Sequence, residues 1–220
     1  MDFDIAVILA KGPQIIAGLG VTILIWVVGT VLAAILGFIV ATLRRYGGRV
    51  IDGLLVIPIE ILRGTPFLVQ IFLLYFGGPY IGLRLDPIPA GLLGLSIYGA
   101  ASYAEIFRAG YASVPPGHSE AADCVGFTRL QTILFVQLPE MALLVLPPSI
   151  NMTVILLKET ALLSLITVPE MTMTVQAIGS QQYAFVEAIV VLALVYWALV
   201  EVANALGRLA ERRLSKLSTA

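Results

Sequence analysis

The sequence predicts an all-α membrane protein: a bundle of five spanning helices with the N-terminus outside and the C-terminus in the cytoplasm. Three observations carry this reading. Of 220 residues, 59% are hydrophobic and only 12% are charged, where a soluble domain carries roughly 25% charged residues. Mean hydropathy is +0.98. No charged residue occurs from Gln14 to Leu43, a run longer than the ~20 apolar residues that cross a bilayer core as helix and too long for the apolar core of a signal peptide.

The first span is placed at 15–43. The second, 54–76, carries Glu60 and Arg63 near its beginning. The third covers 87–104, whose 18 uncharged residues lie near the lower limit. The fourth, 140–157, starts just after Pro139, and the fifth covers 183–206 with Glu187 and Glu201 inside it. Segment 159–180 has only a short apolar run interrupted by Pro169. It reads as a broken or re-entrant piece, which is tolerated at membrane depth only under protein or water; a sixth span is the alternative.

Orientation follows from the cations. Arg44, Arg45, Arg49, Arg108, Arg129, Arg208, Arg212, Arg213 and Lys216 fall on one side of a five-span bundle, and only Lys11 and Arg84 on the other. The basic side is the cytoplasmic one. Topology accounts for these clusters without a nucleic-acid partner, and the net charge is −1.

One polar stretch then faces the cytoplasm. Residues 118–139 read HSEAADCVGFTRLQTILFVQLP. Pro115, Pro116 and Gly117 end what precedes them. Ser119 is suited to cap a helix starting at Glu120, an acid near the positive helix end. Ala121 and Ala122 favour helix and leave room for another backbone. Gly126 suits a helix end with positive φ. Thr128 and Gln131 have capping-box spacing for a second helix, which should run to about Gln137 before Pro139 intervenes. Such an ordered unit is longer than an ordinary bundle connection, and the reading is a docking element for another protein rather than a merely solvated loop.

The chain lacks a GxxxxGK[ST] phosphate loop. Its single cysteine, Cys124, makes no internal disulfide, and its single histidine, His118, makes no metal cluster. An enzyme is therefore not the expectation.

Glu120-Ala121-Ala122, three residues, Gly126, nine residues and Val136-x-Leu138-Pro139 together resemble the EAA loop of ATP-binding-cassette (ABC) importer permeases. RGTPFLVQIFLLYFG (63–77), AEIFRAGYASVPPGHSEAA (104–122) and KETALLSLITVPEM (158–171) are similar to signatures of the polar amino-acid branch of that family, the histidine, glutamine, arginine and opine type. The likeness covers nearly the whole chain. It departs at His118 (usually Gln), at Ala109 and Glu140, and at Ala161, where a hydroxyl is lost.

The resemblance implies one permease domain over 1–220, with the five-helix, MetI-like core of type I importers and a coupling loop at about 105–139. Glu120, Ala121, Ala122 and Gly126 would couple to a cytoplasmic ABC ATPase dimer, which binds the ATP and Mg; this chain would hold no cofactor and perform no catalysis. A second permease subunit, identical or paralogous, would complete the path. A periplasmic or extracellular solute-binding protein would deliver a polar amino-acid-like solute, with the chain multi-pass in the inner (plasma) membrane.

Charges inside spans must face protein, water or headgroups. Glu60 and Arg63, three apart, either organise the second span or snorkel to the interface. Lys158, Glu159 and Thr160 follow 17 uncharged residues and precede the broken segment. Interrupted helix ends offer a mixed polar environment to a zwitterion, so these three are candidates for the path; a pair stabilising the bend is the alternative. Asn151 lies seven residues before Lys158 on nearly the same helical face and joins the candidates. Two other classes stay open on residues alone: an ion-gradient-driven secondary transporter and a non-transporting scaffold or channel subunit. A permease for a different kind of solute is a third possibility.

Overall fold

The computed structural model describes residues 10–218, with side chains described through Arg213; the side chain of Lys216 lies outside the described residues. Nine α-helices are described: α1 (Gly12–Tyr46), α2 (Gly48–Gly64), α3 (Phe67–Phe72), α4 (Pro87–Ser113), α5 (Pro116–Cys124), α6 (Arg129–Thr132), α7 (Leu138–Glu159), α8 (Met171–Gln181) and α9 (Phe185–Ser218).

The core is built on α1 against α4. The buried residues of α1 are Gly18, Thr22, Ile25, Gly29, Ala33, Gly37 and Ala41, three or four apart, so they form one stripe along a 35-residue helix. Most are small because helices in lipid gain nothing from hiding oily side chains from tails that are equally oily; close backbone packing is what holds them. A Cβ added at Gly37 would lie 2.5 Å from the Tyr103 Cβ and 2.9 Å from the Ala104 nitrogen. The opposite face of α1, including Leu24, Val27, Val31 and Ile35, is exposed, as a lipid-facing surface must be. Around this seam pack Phe67, Ile71, Leu95, Met152, Leu156 and Leu163.

Three described helical runs are long and apolar enough to cross a membrane: Gly12–Tyr46, Arg129–Ile166 and Phe185–Arg213. A fourth appears if the bent pair Gly48–Gly64 and Phe67–Ile81 counts as one span. The expected third span, now α4, is not among them. Its 27 residues give ~40 Å of helix, but Gly91, Gly94, Ser96, Gly99 and Ala100 face neighbours rather than lipid. A central helix needs little hydrophobicity of its own, and its hydropathy is correspondingly low.

The expected second span is not one straight helix. It bends by 107° between α2 and α3, where Thr65 and Pro66 are extended. Proline lacks the N–H that would continue the ladder and biases the preceding residue away from helix. The freed carbonyls are satisfied by Gln70, whose Nε2 donates to the Leu62 carbonyl (2.6 Å) and to the Thr65 carbonyl (3.0 Å). Beyond α3 the chain tightens through a π turn (Leu73–Gly77) and a 3-10 turn (Gly78–Ile81). Gln70→Leu should leave both carbonyls short of a donor, a loss of about 1–3 kcal/mol. Thermal unfolding of the detergent-solubilised protein at a clearly lower temperature is the expected result.

Pro139 does not end the second loop helix either. A π turn over Ile133–Gln137 joins α6 to α7, with the Leu138 N–H reaching back five residues to the Ile133 carbonyl. The wider turn accommodates the proline ring that a regular helix would reject.

The segment after α7 is broken, as expected. A 3-10 turn over Thr160–Ile166 ends at Thr167, which has φ 63°. Val168 to Glu170 then lead into α8. Leu163, Ile166, Val168, Glu170 and Met171 are fully buried, so protein covers the irregular backbone.

Candidate functional site

The polar loop forms a helix that hangs beside the bundle. Ser119 does not cap it. The helix starts four residues earlier than Glu120, at Pro116 with Pro115 as N-cap, because a proline in the first turn has its φ preset and no N–H to leave unpaired. Ser119 is thereby freed, and its hydroxyl accepts a hydrogen bond from Gln137 Nε2 (3.0 Å).

The far end of α5 behaves as the residues predict. Gly126 has φ 80°; its N–H bonds the Asp123 carbonyl (3.0 Å) and the Phe127 N–H bonds that of Ala122 (3.0 Å). This pair of bonds is the Schellman ending. Thr128 and Gln131 then form the full reciprocal capping box of α6. Gly126→Val would force a β-branched side chain into the left-handed region, a strain of about 1–2 kcal/mol. The variant should insert normally but unfold at a lower temperature in detergent.

The alanines divide. Glu120 and Ala121 are exposed, whereas Ala122 is 5% exposed and packs inward. Near them Val125, Phe127 and Leu130 are exposed, a patch of the kind that marks a protein contact. The single cysteine, Cys124, is exposed on the same helix.

A charged network joins the helix ends above this loop. Arg44 of α1, largely buried, donates to Asp52 of α2 (2.8 Å) and to Glu105 of α4. Arg108 holds the other Glu105 oxygen at 2.8 Å. Residues Arg63, Ser102, Glu105, Ile106, Leu144 and Pro148 line an open cleft of about 500 Å³. Glu60 and Arg63 lie 3.6 Å apart, both substantially exposed.

Asn151 and Lys158 are exposed on α7 and Glu159 is partly buried. Leu144, Pro148, Asn151 and Lys158 follow helical spacing and share one face of α7, of which Leu144 and Pro148 line the cleft. Thr160 is not on that face. It is fully buried, and its hydroxyl donates to the Leu157 carbonyl (2.7 Å).

Residue-level reading of the sequence missed Glu170. This fully buried carboxyl caps α8 by accepting from the Thr172 N–H (2.9 Å) and the Met173 N–H (2.8 Å), and it also accepts from the Tyr196 hydroxyl of α9 (3.0 Å). Thr22 of α1 accepts from the Met171 N–H (3.0 Å) beside it. The available signal was an acid directly before a helical run in an otherwise uncharged stretch. Among the described residues, no group of three or more His, Cys, Asp or Glu side chains is placed to hold a metal ion.

The described residues thus form a helical bundle with an external helix, a charged hub and a face of α7 that carries Asn151 and Lys158. The chain belongs to the family of binding-protein-dependent transport system inner membrane components, whose family model matches residues 29–216. It is a non-catalytic, multi-pass membrane permease subunit with the ABC-importer permease fold. It is 32% identical to the probable amino-acid ABC transporter permease protein YckA of Bacillus subtilis (strain 168) over 96% of this chain and 93% of that protein. It is also 32% identical to the glutamine transport system permease protein GlnP of Escherichia coli (strain K12), over 99% of this chain and 100% of that one. A crystal structure of an amino acid ABC transporter with histidines superposes with a TM-score of 0.86 at 30% identity, covering 97% of this chain and 100% of that one.

Proposed function

We propose that this protein forms the membrane path of an ATP-driven importer for polar amino acids. The observation that carries the coupling half of this reading is α5, a helix started by Pro116 and ended by a Schellman turn, which presents Glu120 and Ala121 outward beside an apolar rim. Helix α5 seats in a dimeric cytoplasmic ATPase, with Ala122 and Gly126 holding its shape. Five segments cross the membrane: α1, the bent α2–α3 pair, α4, the α7 run and α9. The charge distribution supports an outside N-terminus and a cytoplasmic C-terminus. A second permease subunit completes the path, and a solute-binding protein delivers the amino acid.

Asn151, Lys158 and Glu159 line the path, with Glu60 and Arg63 organising the cleft at its other end and Thr160 bracing α7 from within. An exposed ammonium and a partly buried carboxyl on consecutive residues at the end of α7 suit a solute carrying both charges. The permease domain occupies the whole of 1–220.

The native thiol gives a direct test. Cys124 is expected to react with a membrane-impermeant maleimide in inside-out vesicles and not in right-side-out vesicles, and added ATPase should protect it. Labelling from outside would overturn the orientation. Uptake of a panel of the twenty amino acids by proteoliposomes containing all partners then assigns the solute.

A further inference from the structure

Helix α5 has few anchors. Its principal packing is against Ile133–Gln137 and Arg129–Thr132, so force on the helix must reach the bundle through that strip. Gln137 is the last residue of the strip, where it enters α7. It is 2% exposed, within the π turn that leads into α7. Both ends of its amide are used: Nε2 donates to Ser119 Oγ on α5 (3.0 Å), and Oε1 accepts from the Tyr46 hydroxyl at the end of α1 (2.6 Å). The Tyr46 ring in turn lies beneath Arg129, with 6.0 Å from the guanidinium carbon to the ring centroid. One side chain thus joins three pieces of the chain that are distant in sequence: α5, the root of α7 and the last turn of α1.

We propose that Gln137 is the positioning residue through which movement of the docking helix reaches α1. The proposal rests on the reading of α5 as the ATPase-docking helix. A primary amide fits this task because it donates at one end and accepts at the other within a fixed plane. Gln137 itself is buried, so its amide is held in these two bonds rather than turned out to water. His118 Nδ1 and Glu140 Oε1, 2.5 Å apart, make a second tie from α5 to α7, but this pair is exposed and does not reach α1.

The test uses the permease–ATPase complex in lipid nanodiscs. Mg-ATP hydrolysis is measured with and without the solute-binding protein, preloaded from a mixture of the twenty amino acids. Wild-type complex should be stimulated by the binding protein, because a signal from the far face must travel through the permease. In Gln137→Leu, and in Tyr46→Phe, which keeps the ring under Arg129, stimulation should fall about threefold or more toward unity, as expected for loss of one or two hydrogen bonds in the link. The ATPase should still co-purify. If Gln137→Leu does not fold, Tyr46→Phe decides alone. A purely structural role would lower the unfolding temperature and leave the stimulation ratio unchanged, and that result overturns the proposal. Ala121→Arg separates the two readings: if that variant still binds ATPase normally, the docking assignment fails; if it does not, unchanged stimulation in Tyr46→Phe sinks the Gln137 link alone.

Discussion

Ala121→Arg is expected to abolish ATP-driven uptake while leaving the permease folded and inserted. Ala121 is on the outward face of α5, and replacing its methyl group with a long cation prevents the close backbone approach that a small residue permits. A charge placed without a partner in a desolvated protein contact costs about 2–5 kcal/mol, enough to weaken ATPase binding about 30-fold to several thousand-fold. Co-purification of the ATPase and uptake in proteoliposomes are the measurements. Retained ATPase with normal uptake would remove α5 from the coupling role. Ala122 is the wrong residue for this purpose: it packs inward, so an arginine there would disrupt the loop itself and report on folding.

Glu170→Ala should produce the largest loss of stability. Its carboxyl is the acceptor for two backbone N–H groups at the start of α8 and for the Tyr196 hydroxyl. Each orphaned buried donor costs about 1–3 kcal/mol, against a total stability for folded proteins of about 5–15 kcal/mol. The variant should reach the membrane at a small fraction of wild-type abundance and unfold at a much lower temperature in detergent. Glu170→Gln keeps an acceptor for the backbone N–H groups and should fall between the two. An unfolding temperature for Glu170→Ala equal to that of wild type would show that α8 needs no such cap.

The two short helices of the polar loop were legible because their punctuation is local. Pro115-Pro116-Gly117, Gly126 and the Thr128–Gln131 pair act on backbone within a few residues, so their spacing announces the two short helices. The error at Ser119 is of the same local kind, since two competing N-caps lay four residues apart and the proline prevailed. Features that depend on distant partners were hidden. The Arg44–Glu105, Tyr46–Gln137 and Thr22–Glu170 contacts join residues 61, 91 and 148 positions apart, and no window of sequence contains both members. Hydropathy averaging concealed the bend at Thr65-Pro66, because apolar runs on both sides of Arg63–Pro66 keep the average high. It also underrates α4, whose glycines record burial against its neighbours, Gly99 at Ala33 of α1, Gly94 at Ile71 and Gly91 at Leu163, rather than contact with lipid. Thr160 looked like its neighbours Lys158 and Glu159, but the tightening of the chain after Glu159 turns it inward.

The glycine and alanine seam between α1 and α4 has a mechanical consequence. Where the Gly37 backbone meets Tyr103 and Ala104 and Gly29 meets Leu95, a slide of one helix along the other drives packed atoms into collision. The two helices therefore travel as a single stiff mast. Any rearrangement between open and closed shapes must be taken up at the joints around it: the corner at Thr65-Pro66, the widened turn before Pro139, and the left-handed Thr167.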